Sequence, residues 1–145
     1  MTSAAGEKFI LLTLAGTQYA LRSRDVRHVE MLESVTPVPN ANPYVDGVVF
    51  SRGEVVPVLN LRARLGLERA PNDMRSRLLV VGGGDRRVGL LVGSAREFLT
   101  IPADAIQPPP DAIARGSGRY LEGVAAVGDR LVLVLNLPEV LASES

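Results

Sequence analysis

An internal repeat constrains the fold of this chain more than any other feature of its sequence. The matching stretches are residues 44–48 with 120–124 and residues 58–61 with 134–137. Both pairs are separated by the same offset, because 120 − 44 and 134 − 58 both equal 76. A fixed offset across a whole segment is typical of two copies of one structural unit. The sequence therefore predicts two similar halves, approximately residues 9–68 and 77–141.

Length and composition limit what these halves can be. The chain has 145 residues, and a unit of about 70 residues buries little core alone, so we expect the halves to share one. Sixteen basic residues balance sixteen acidic ones, which argues against nucleic acid or an anionic membrane as the partner. The chain has no cysteine and no apolar run near the roughly 18 residues of a membrane span. We expect a soluble cytoplasmic protein.

Short apolar segments separated by turn residues predict strands throughout the chain. In each half we expect a hairpin, a third strand, a proline-bearing connection and a second hairpin. The expected strands are 9–14, 19–21, 26–32, 47–50 and 54–59, then 77–81, 88–92, 95–101, 123–126 and 130–135. Glycines at 82–84 predict the turn at 82–85. Short helices are expected at 61–65 and 137–141, with Asn60 and Asn136 as N-caps. Five short strands per half are typical of small barrels.

Two further details follow from these segments. Residues 131–135, and less clearly 55–59, are apolar on both faces, which predicts burial on both faces and two barrels packed side by side. Leu21 corresponds to Leu90 at an offset of 69 rather than 76. We therefore expect seven extra residues in the second half, around 107–110.

Few residues are candidates for catalysis or metal binding. His28 is the only histidine, and without cysteine or suitably spaced carboxylates it is better interpreted as a surface strand residue than as a metal ligand. The glycines at 82–84 lack the Lys-Ser/Thr of a phosphate loop. Ser51 and Ser94 have no His–acid partners in a motif context. We predict a protein that is not an enzyme and that needs no metal and no cofactor.

The turn of the repeated hairpin is where the two copies differ. Residues 51–53 are Ser-Arg-Gly, whereas residues 127–129 are Val-Gly-Asp. A guanidinium at a tight turn can form fork-like hydrogen bonds to a partner carboxylate or carbonyl. A solvated turn arginine is an equally good interpretation of Arg52 from local sequence. We interpret the asymmetry as specialisation of the two halves for different partners.

These features together resemble the chemotaxis coupling proteins, the CheW family. The resemblance covers residues 9–141 and rests on Tyr19, Val26, Val29, Pro39, residues 47–65 with Arg52-Gly53 and Pro57-Val58, residues 89–92, Pro109, residues 120–123 and residues 128–136. The fold that this resemblance implies is all-β, with two intertwined five-stranded SH3-like barrels and short helices. Which barrel takes the first strand is left open by the sequence.

The function that the resemblance implies is that of a non-catalytic adaptor. Such proteins join the cytoplasmic tips of chemoreceptors to a CheA-type histidine kinase. The adaptor is a monomer alone and forms alternating rings with the kinase, while a groove between the barrels takes the receptor hairpin. The receptor side would involve Val26, His28, Arg52 and Val92, and the kinase side Val45 and Gly47. Val26 and Val92 are equally well explained as core residues.

Three positions depart from the usual pattern of the family. His28, Asn60 and Gly93 stand where acidic residues are common in the family. We therefore expect an altered partner, such as a receptor or kinase of a pathway other than flagellar chemotaxis. The alternative function is a small-barrel module that binds nucleic acid or a short peptide. A net charge of zero and only three Phe, three Tyr and no Trp disfavour this alternative.

Overall fold

The chain is folded almost entirely into short strands. The computed structural model describes residues 6–32, 34–82, 86–114 and 116–142. Within these ranges the strands are β1 (Glu7–Leu14), β2 (Thr17–Arg22), β3 (Val26–Met31), β4 (Val45–Ser51), β5 (Glu54–Asn60), β6 (Arg77–Val81), β7 (Val88–Val92), β8 (Ser94–Ile101), β9 (Ile106–Gln107), β10 (Leu121–Val127) and β11 (Arg130–Leu135). The α-helices are α1 (Leu61–Arg64), α2 (Asp111–Ala114) and α3 (Leu137–Leu141). Of the turn predicted at 82–85, residues 83–85 lie outside the described residues.

The strands form two sheets, one in each of two compact units. The terminal unit contains the described residues up to Arg24 and from Arg96 onward, and its strand order is β8-β1-β2-β11-β10-β9. The middle unit runs from Asp25 to Ala95, and its order is β3-β6-β7-β5-β4. The predicted all-β fold of two small barrels with short helices is therefore confirmed.

Each sheet takes its first hairpin from the other half of the sequence. Strand β2 of the first half pairs in parallel with β11 of the second half, with Ala20 beside Val134. Strand β7 of the second half pairs in parallel with β5 of the first half, with Gly89 beside Val58. The two contacts stand at equivalent positions of the repeat. Gly89 corresponds to Ala20 at the 69-residue offset, and Val134 corresponds to Val58 at the 76-residue offset. The first strand thus joins the strands of the second half, and the exchange of hairpins is reciprocal.

The terminal sheet has six strands rather than five because the short strand β9 extends its edge. Gln107 of β9 pairs with Val124, and in the middle unit a single bridge between Thr36 and Val48 takes the equivalent place. The offset from Thr36 to Gln107 is 71. The offset grows from 69 to 71 before β9, so two of the seven extra residues precede this strand. It grows from 71 to 76 after β9, so the other five lie in the segment that carries α2.

Each unit has its own apolar core, built from alternate residues of its strands. The core of the terminal unit contains Phe9, Leu11, Ala20, Ile101, Ala125, Val132 and Val134. The core of the middle unit contains Val49, Val56, Val58, Leu78, Val80 and Leu91. Burial of one large aliphatic side chain contributes about 1.5–3 kcal/mol to stability. The cores therefore hold the hairpin exchange in place.

Exposure along the hairpin strands corrects one prediction. In β5, Val56 is buried whereas Val55 is 67% exposed. In β11, Val132 is buried whereas Leu131 is 68% exposed. The predicted burial on both faces is therefore wrong where these strands begin, next to their turns. An apolar run shows which residues avoid water but does not distinguish a covered face from an open one.

Asparagines cap the first and last α-helices, as the sequence predicted. Oδ1 of Asn60 accepts a hydrogen bond from the backbone N–H of Ala63 at 3.1 Å, and Oδ1 of Asn136 accepts one from Glu139 at 3.2 Å. The amide of Asn60 also donates to Asp46 Oδ2 at 3.0 Å. An aspartate at position 60 has no such donor and would face a second carboxylate. This contact explains locally why an amide stands where the family often has an acid.

An ion-pair network links β2 to β1 and β10 in the terminal unit. Nη1 and Nη2 of Arg22 lie 2.5 and 2.7 Å from the two carboxylate oxygens of Glu122. Nε of Arg22 donates to Glu7 at 3.0 Å, and the guanidinium lies 5.2 Å from the centre of the Phe9 ring. The hydrogen bond from Arg22 is the main cause of a lowered pKa of the Glu122 carboxyl. The same contact raises the pKa of Arg22.

We expect the Glu122 ion pair to lose its stabilising effect as the pH falls below about 4.5, the ordinary value for a glutamate. Because the folded-state pKa lies below the unfolded value, the stabilisation is complete above the unfolded value and is lost as pH falls through the folded one. The Glu122 side chain is 37% exposed, so solvent screening limits the contribution to about 1 kcal/mol.

The measurement is the free energy of urea unfolding of the natural protein and the Glu122→Gln variant between pH 7 and pH 3. We expect the difference between them to shrink toward acidic pH, where the natural glutamate also becomes neutral. A difference that stays constant would show that the ion pair is not its source.

Candidate functional site

The candidate site is the turn between β4 and β5. The last paired residues of this hairpin are Ser51 and Glu54, so Arg52 and Gly53 alone form the turn. Their φ angles are +50° and +84°. Two consecutive positive φ values are typical of a type I′ turn, whose twist matches that of the flanking strands. The turn therefore places one large cation at the tip of a regular hairpin.

Arg52 adopts a backbone conformation that its residue type does not favour. A left-handed conformation costs a residue with a side chain roughly 1–2 kcal/mol, and Asn, Asp or Gly usually occupies this turn position. The β1–β2 hairpin has the same turn, with Ala15 and Gly16 at φ +51° and +80°. The two turns therefore share this conformation, and what distinguishes the β4–β5 turn is the exposed cation that it carries.

Replacing Arg52 by asparagine is expected to raise the free energy of unfolding by about 0.5–1 kcal/mol, because asparagine tolerates the left-handed conformation better. The measurement is urea unfolding at neutral pH. The matched control is Ala15→Asn, which changes the same position of a similar turn and should give a similar gain. A less stable Arg52→Asn protein beside a more stable Ala15→Asn protein would show that the guanidinium itself stabilises the fold.

Three side chains converge on one carboxylate oxygen beside this turn. Oε2 of Glu30 accepts a hydrogen bond from Ser51 Oγ at 2.5 Å. The same oxygen lies 2.6 Å from His28 Nε2 and 3.8 Å from Arg52 Nε. Strands β3 and β4 are the two edges of the middle sheet, so these contacts close the sheet into a barrel. We call His28, Glu30, Ser51 and Arg52 the Glu30 cluster.

His28 is not the surface histidine that the sequence favoured, since its side chain is only 12% exposed. Nor does it form a nucleophilic relay with Ser51 and Glu30. Such a relay places the serine on one imidazole nitrogen and the acid on the other. Here Nε2 of His28 faces Glu30 at 2.6 Å and Ser51 Oγ at 3.4 Å, and the serine is 4% exposed and donates to the acid.

The two valines predicted on the receptor side lie in different places. Val26 is half-buried and pairs with Val81, whereas Val92 is 2% exposed and pairs with Arg77. Val81 and Arg77 are the two ends of β6, which at about 3.3 Å per residue are roughly 13 Å apart. The structure therefore brings His28 and Arg52 together around Glu30 but places Val92 in the interior, away from Val26.

The two residues predicted on the kinase side flank a bulge in β4. The register shifts between Val45 and Gly47, so Asp46 is the extra residue. Gly47 has a φ of +145°, and a Cβ there would overlap the carbonyl oxygen of Thr36. Gly123, at the same place in the second copy, faces a backbone carbonyl in the same way. The repeated glycine therefore lets another chain segment approach the bulge.

Exposed apolar side chains recur at related positions of the two units. Those on the third strands are Val29 and Phe98, and those on the hairpins are Phe50, Val55 and Leu131. Phe50, 74% exposed, lies opposite Val55 across the β4–β5 hairpin. Leu131 is related to Val55 by the 76-residue offset. We call the Phe50–Val55 pair and Leu131 the hairpin patches. These side chains were not among the predicted site residues, because the apolar runs of these strands indicated burial.

The described ranges contain no group of three or more His, Cys, Asp or Glu side chains placed to hold a metal ion. No helix among the described residues is long and apolar enough to cross a membrane.

The fold and the site together define a class of protein. Large exposed apolar side chains on small rigid elements mark protein-binding surfaces. Arginine beside such a surface is typical of interaction hot spots. A chain whose two barrels both carry such surfaces has the features of a protein-interaction scaffold.

The chain belongs to the CheW-like domain family, whose model matches residues 8–145. The chemotaxis protein CheW of Rhizobium meliloti (strain 1021) is 32% identical over 150 residues, which cover 99% of this chain and 97% of that protein. The chemotaxis protein CheW of Bacillus subtilis (strain 168) is 30% identical over 140 residues, covering 97% and 90%. The crystal structure of the scaffolding protein TtCheW from Thermoanaerobacter tengcongensis matches with a TM-score of 0.86 at 26% identity, covering 96% of this chain and 90% of that one. The resemblance seen in the sequence is confirmed.

Proposed function

We propose that this protein is a cytoplasmic, non-catalytic adaptor that couples chemoreceptors to a CheA-type histidine kinase. The observation that carries the proposal is that the likeness extends along nearly the whole chain. It matches both proteins named for chemotaxis and a structure described as a scaffolding protein. The hairpin patches support it, because an adaptor needs more than one protein-binding surface.

The receptor-binding side of the proposal is centred on Arg52. Its side chain is 66% exposed, and a guanidinium offers a fork of donors to a carboxylate or a backbone carbonyl on a receptor helix. Val26 and His28 lie on β3, the edge strand that meets this turn through Glu30, and the largely buried His28 supports the surface from below. Val92 is buried, so we propose that it supports the surface from within.

The kinase-binding side of the proposal consists of the strands of the β4–β5 hairpin, next to the Arg52 turn. Val45 and Gly47 set the bulged shape of β4, and the exposed pair Phe50 and Val55 supplies apolar area. Interface cores are depleted of charged residues and enriched in aromatic ones. Leu131 offers an apolar contact on the second hairpin. Two such surfaces on one chain allow it to touch two kinase domains, as alternating rings require.

The experiment that tests this proposal uses the full chain, the regulatory domain of a CheA-type kinase and a cytoplasmic hairpin fragment of a chemoreceptor. Calorimetric titration is expected to show saturable binding of each fragment, with neither displacing the other. Mutually exclusive binding would contradict an adaptor, and binding of neither would overturn the proposal. A gel shift with single-stranded RNA, run in parallel, tests the small-barrel alternative and is expected to be negative.

A further inference from the structure

We infer that Glu30 positions the Arg52 side chain for partner binding, and that Ser51 and His28 hold Glu30 in place. The inference rests on the proposed receptor-binding role of Arg52. The structure supplies a carboxylate to the Arg52 turn from Glu30, which lies two residues beyond His28 on β3.

The Glu30 carboxylate is contacted from both edges of the sheet. The hydroxyl of Ser51, on β4, donates to Oε2 at 2.5 Å, and Nε2 of His28, on β3, lies 2.6 Å from the same oxygen. Hydrogen bonds to a charged acceptor are about twice as strong as neutral ones. Ser51 and His28 are largely shielded from water, whereas the Glu30 side chain is 24% exposed. These two contacts place the carboxylate at the barrel surface beside the turn.

This fixed charge acts on Arg52 through the inner side of the guanidinium. Nε of Arg52 lies 3.8 Å from Oε2 of Glu30, which is beyond hydrogen-bond length but within the range of an ion pair. A guanidinium has five N–H donors. The contact engages the Nε side and is compatible with a bidentate contact of the terminal amino groups with a partner. Glu30 can thus orient the Arg52 side chain and leave its terminal amino groups available to a partner.

The terminal unit also has a Glu–Arg pair between its third strand and its repeated hairpin, although the two residues stand at other positions of the repeat. Glu97 on β8 corresponds to His28 at the 69-residue offset (97 − 28), and its two oxygens lie 3.3 and 3.2 Å from Nη1 and Nη2 of Arg130 on β11. Each unit therefore joins its third strand to its repeated hairpin through a Glu–Arg pair. In the terminal unit the acid engages both terminal amino groups. In the middle unit it engages the Nε side, which fits a binding arginine.

The test measures the mobility of the Arg52 side chain in the free protein, by ¹⁵N relaxation of its Nε–Hε group. We expect Glu30→Gln to raise the mobility of Arg52, and Ser51→Ala to raise it by a smaller amount. The matched control is Glu97→Gln, which should mobilise Arg130 and leave Arg52 unchanged. Affinity for the receptor hairpin fragment is expected to fall about fivefold to tenfold in Glu30→Gln, within the range of coupling between neighbouring residues.

The two readouts separate this inference from the function on which it rests. Unchanged Arg52 mobility in both Glu30→Gln and Ser51→Ala would overturn the inference, whatever the affinity. Increased mobility with unchanged receptor affinity in Glu30→Gln would also overturn it if Arg52→Ala does weaken binding. If Arg52→Ala binds the receptor fragment as well as the natural protein, the receptor-binding role of Arg52 fails instead.

Discussion

Replacing Gly47 by alanine is expected to lower the free energy of unfolding by about 3 kcal/mol or more, since backbone strain and steric overlap act together. The φ of Gly47 is +145°, and a Cβ there would overlap the carbonyl oxygen of Thr36. That oxygen is a backbone atom held by paired hydrogen bonds of 2.9 Å between Thr36 and Val48. The bridge must break before the new methyl group can be accommodated.

The measurement for Gly47→Ala is urea unfolding, with Gly16→Ala as the control. Gly16 also has a positive φ, +80°, but a Cβ there would meet nothing within 4 Å, so we expect it to cost about 1 kcal/mol. Equal losses in the two variants would contradict the close approach at Gly47. Because Gly47 also lies on the proposed kinase side, a loss of kinase binding in this variant is expected to accompany a loss of folded protein.

Reversing the charge at Arg52 is expected to have the largest effect on function. We expect Arg52→Glu to weaken binding of the receptor hairpin by about tenfold or more, as for a central arginine in an interface. The variant loses the donors of the guanidinium and sets a second carboxylate beside Glu30. The proposed kinase contacts at Phe50 and Val55 adjoin the Arg52 turn but are apolar, so we expect kinase affinity to fall less than receptor affinity.

The measurement for Arg52→Glu is calorimetric titration with each fragment. The matched control is Arg75→Glu, which makes the same change of charge at another exposed arginine of the middle unit. The control should bind both fragments normally. Equal weakening of receptor and kinase binding by Arg52→Glu, or retained receptor affinity, would count against Arg52 as the receptor contact.

The strands and barrels were predictable because their causes are local. Alternation, turn residues and a constant offset between residues 44 and 120 identify the repeated units without any tertiary information. The exchange of hairpins does not follow from these local patterns and was predicted only by the resemblance to the CheW family, which implies intertwined barrels. Strands β1 and β6 carry similar apolar patterns, so the sequence pattern alone is compatible with either hairpin in either sheet. Only the full set of long-range contacts decides between the two pairings.

The candidate site was predictable in part. The Arg52 turn stands out as the position where the two copies differ, and this is visible in the sequence. The contact of Glu30 with Ser51 is not, because their strands lie at opposite edges of the sheet and meet only when the barrel closes. The exposed Val55 was missed for the opposite reason, since apolar residues at an open surface and in a core look alike in sequence.

Two of the three departures from the family pattern have local counterparts. Glu30 supplies a carboxylate to the Arg52 turn, which an acid at position 28 was expected to supply. The side-chain amide of Asn60 donates a hydrogen bond to Asp46. These contacts weaken the expectation that the acids are missing because the partner differs. Nothing in the structure explains Gly93 in the same way.

The proposed adaptor joins receptor and kinase through different contacts, with the receptor at the Arg52 turn and the kinase at the adjoining apolar residues of the hairpin. The most direct test of this arrangement is sedimentation of a CheA-type kinase with beads that carry the receptor hairpin fragment, with and without this protein. We predict that the kinase sediments when the natural chain is present. It should stay in solution with Arg52→Glu, although that variant still binds the kinase. Recruitment of the kinase that is the same with the natural chain, with Arg52→Glu and with no chain at all would contradict the account.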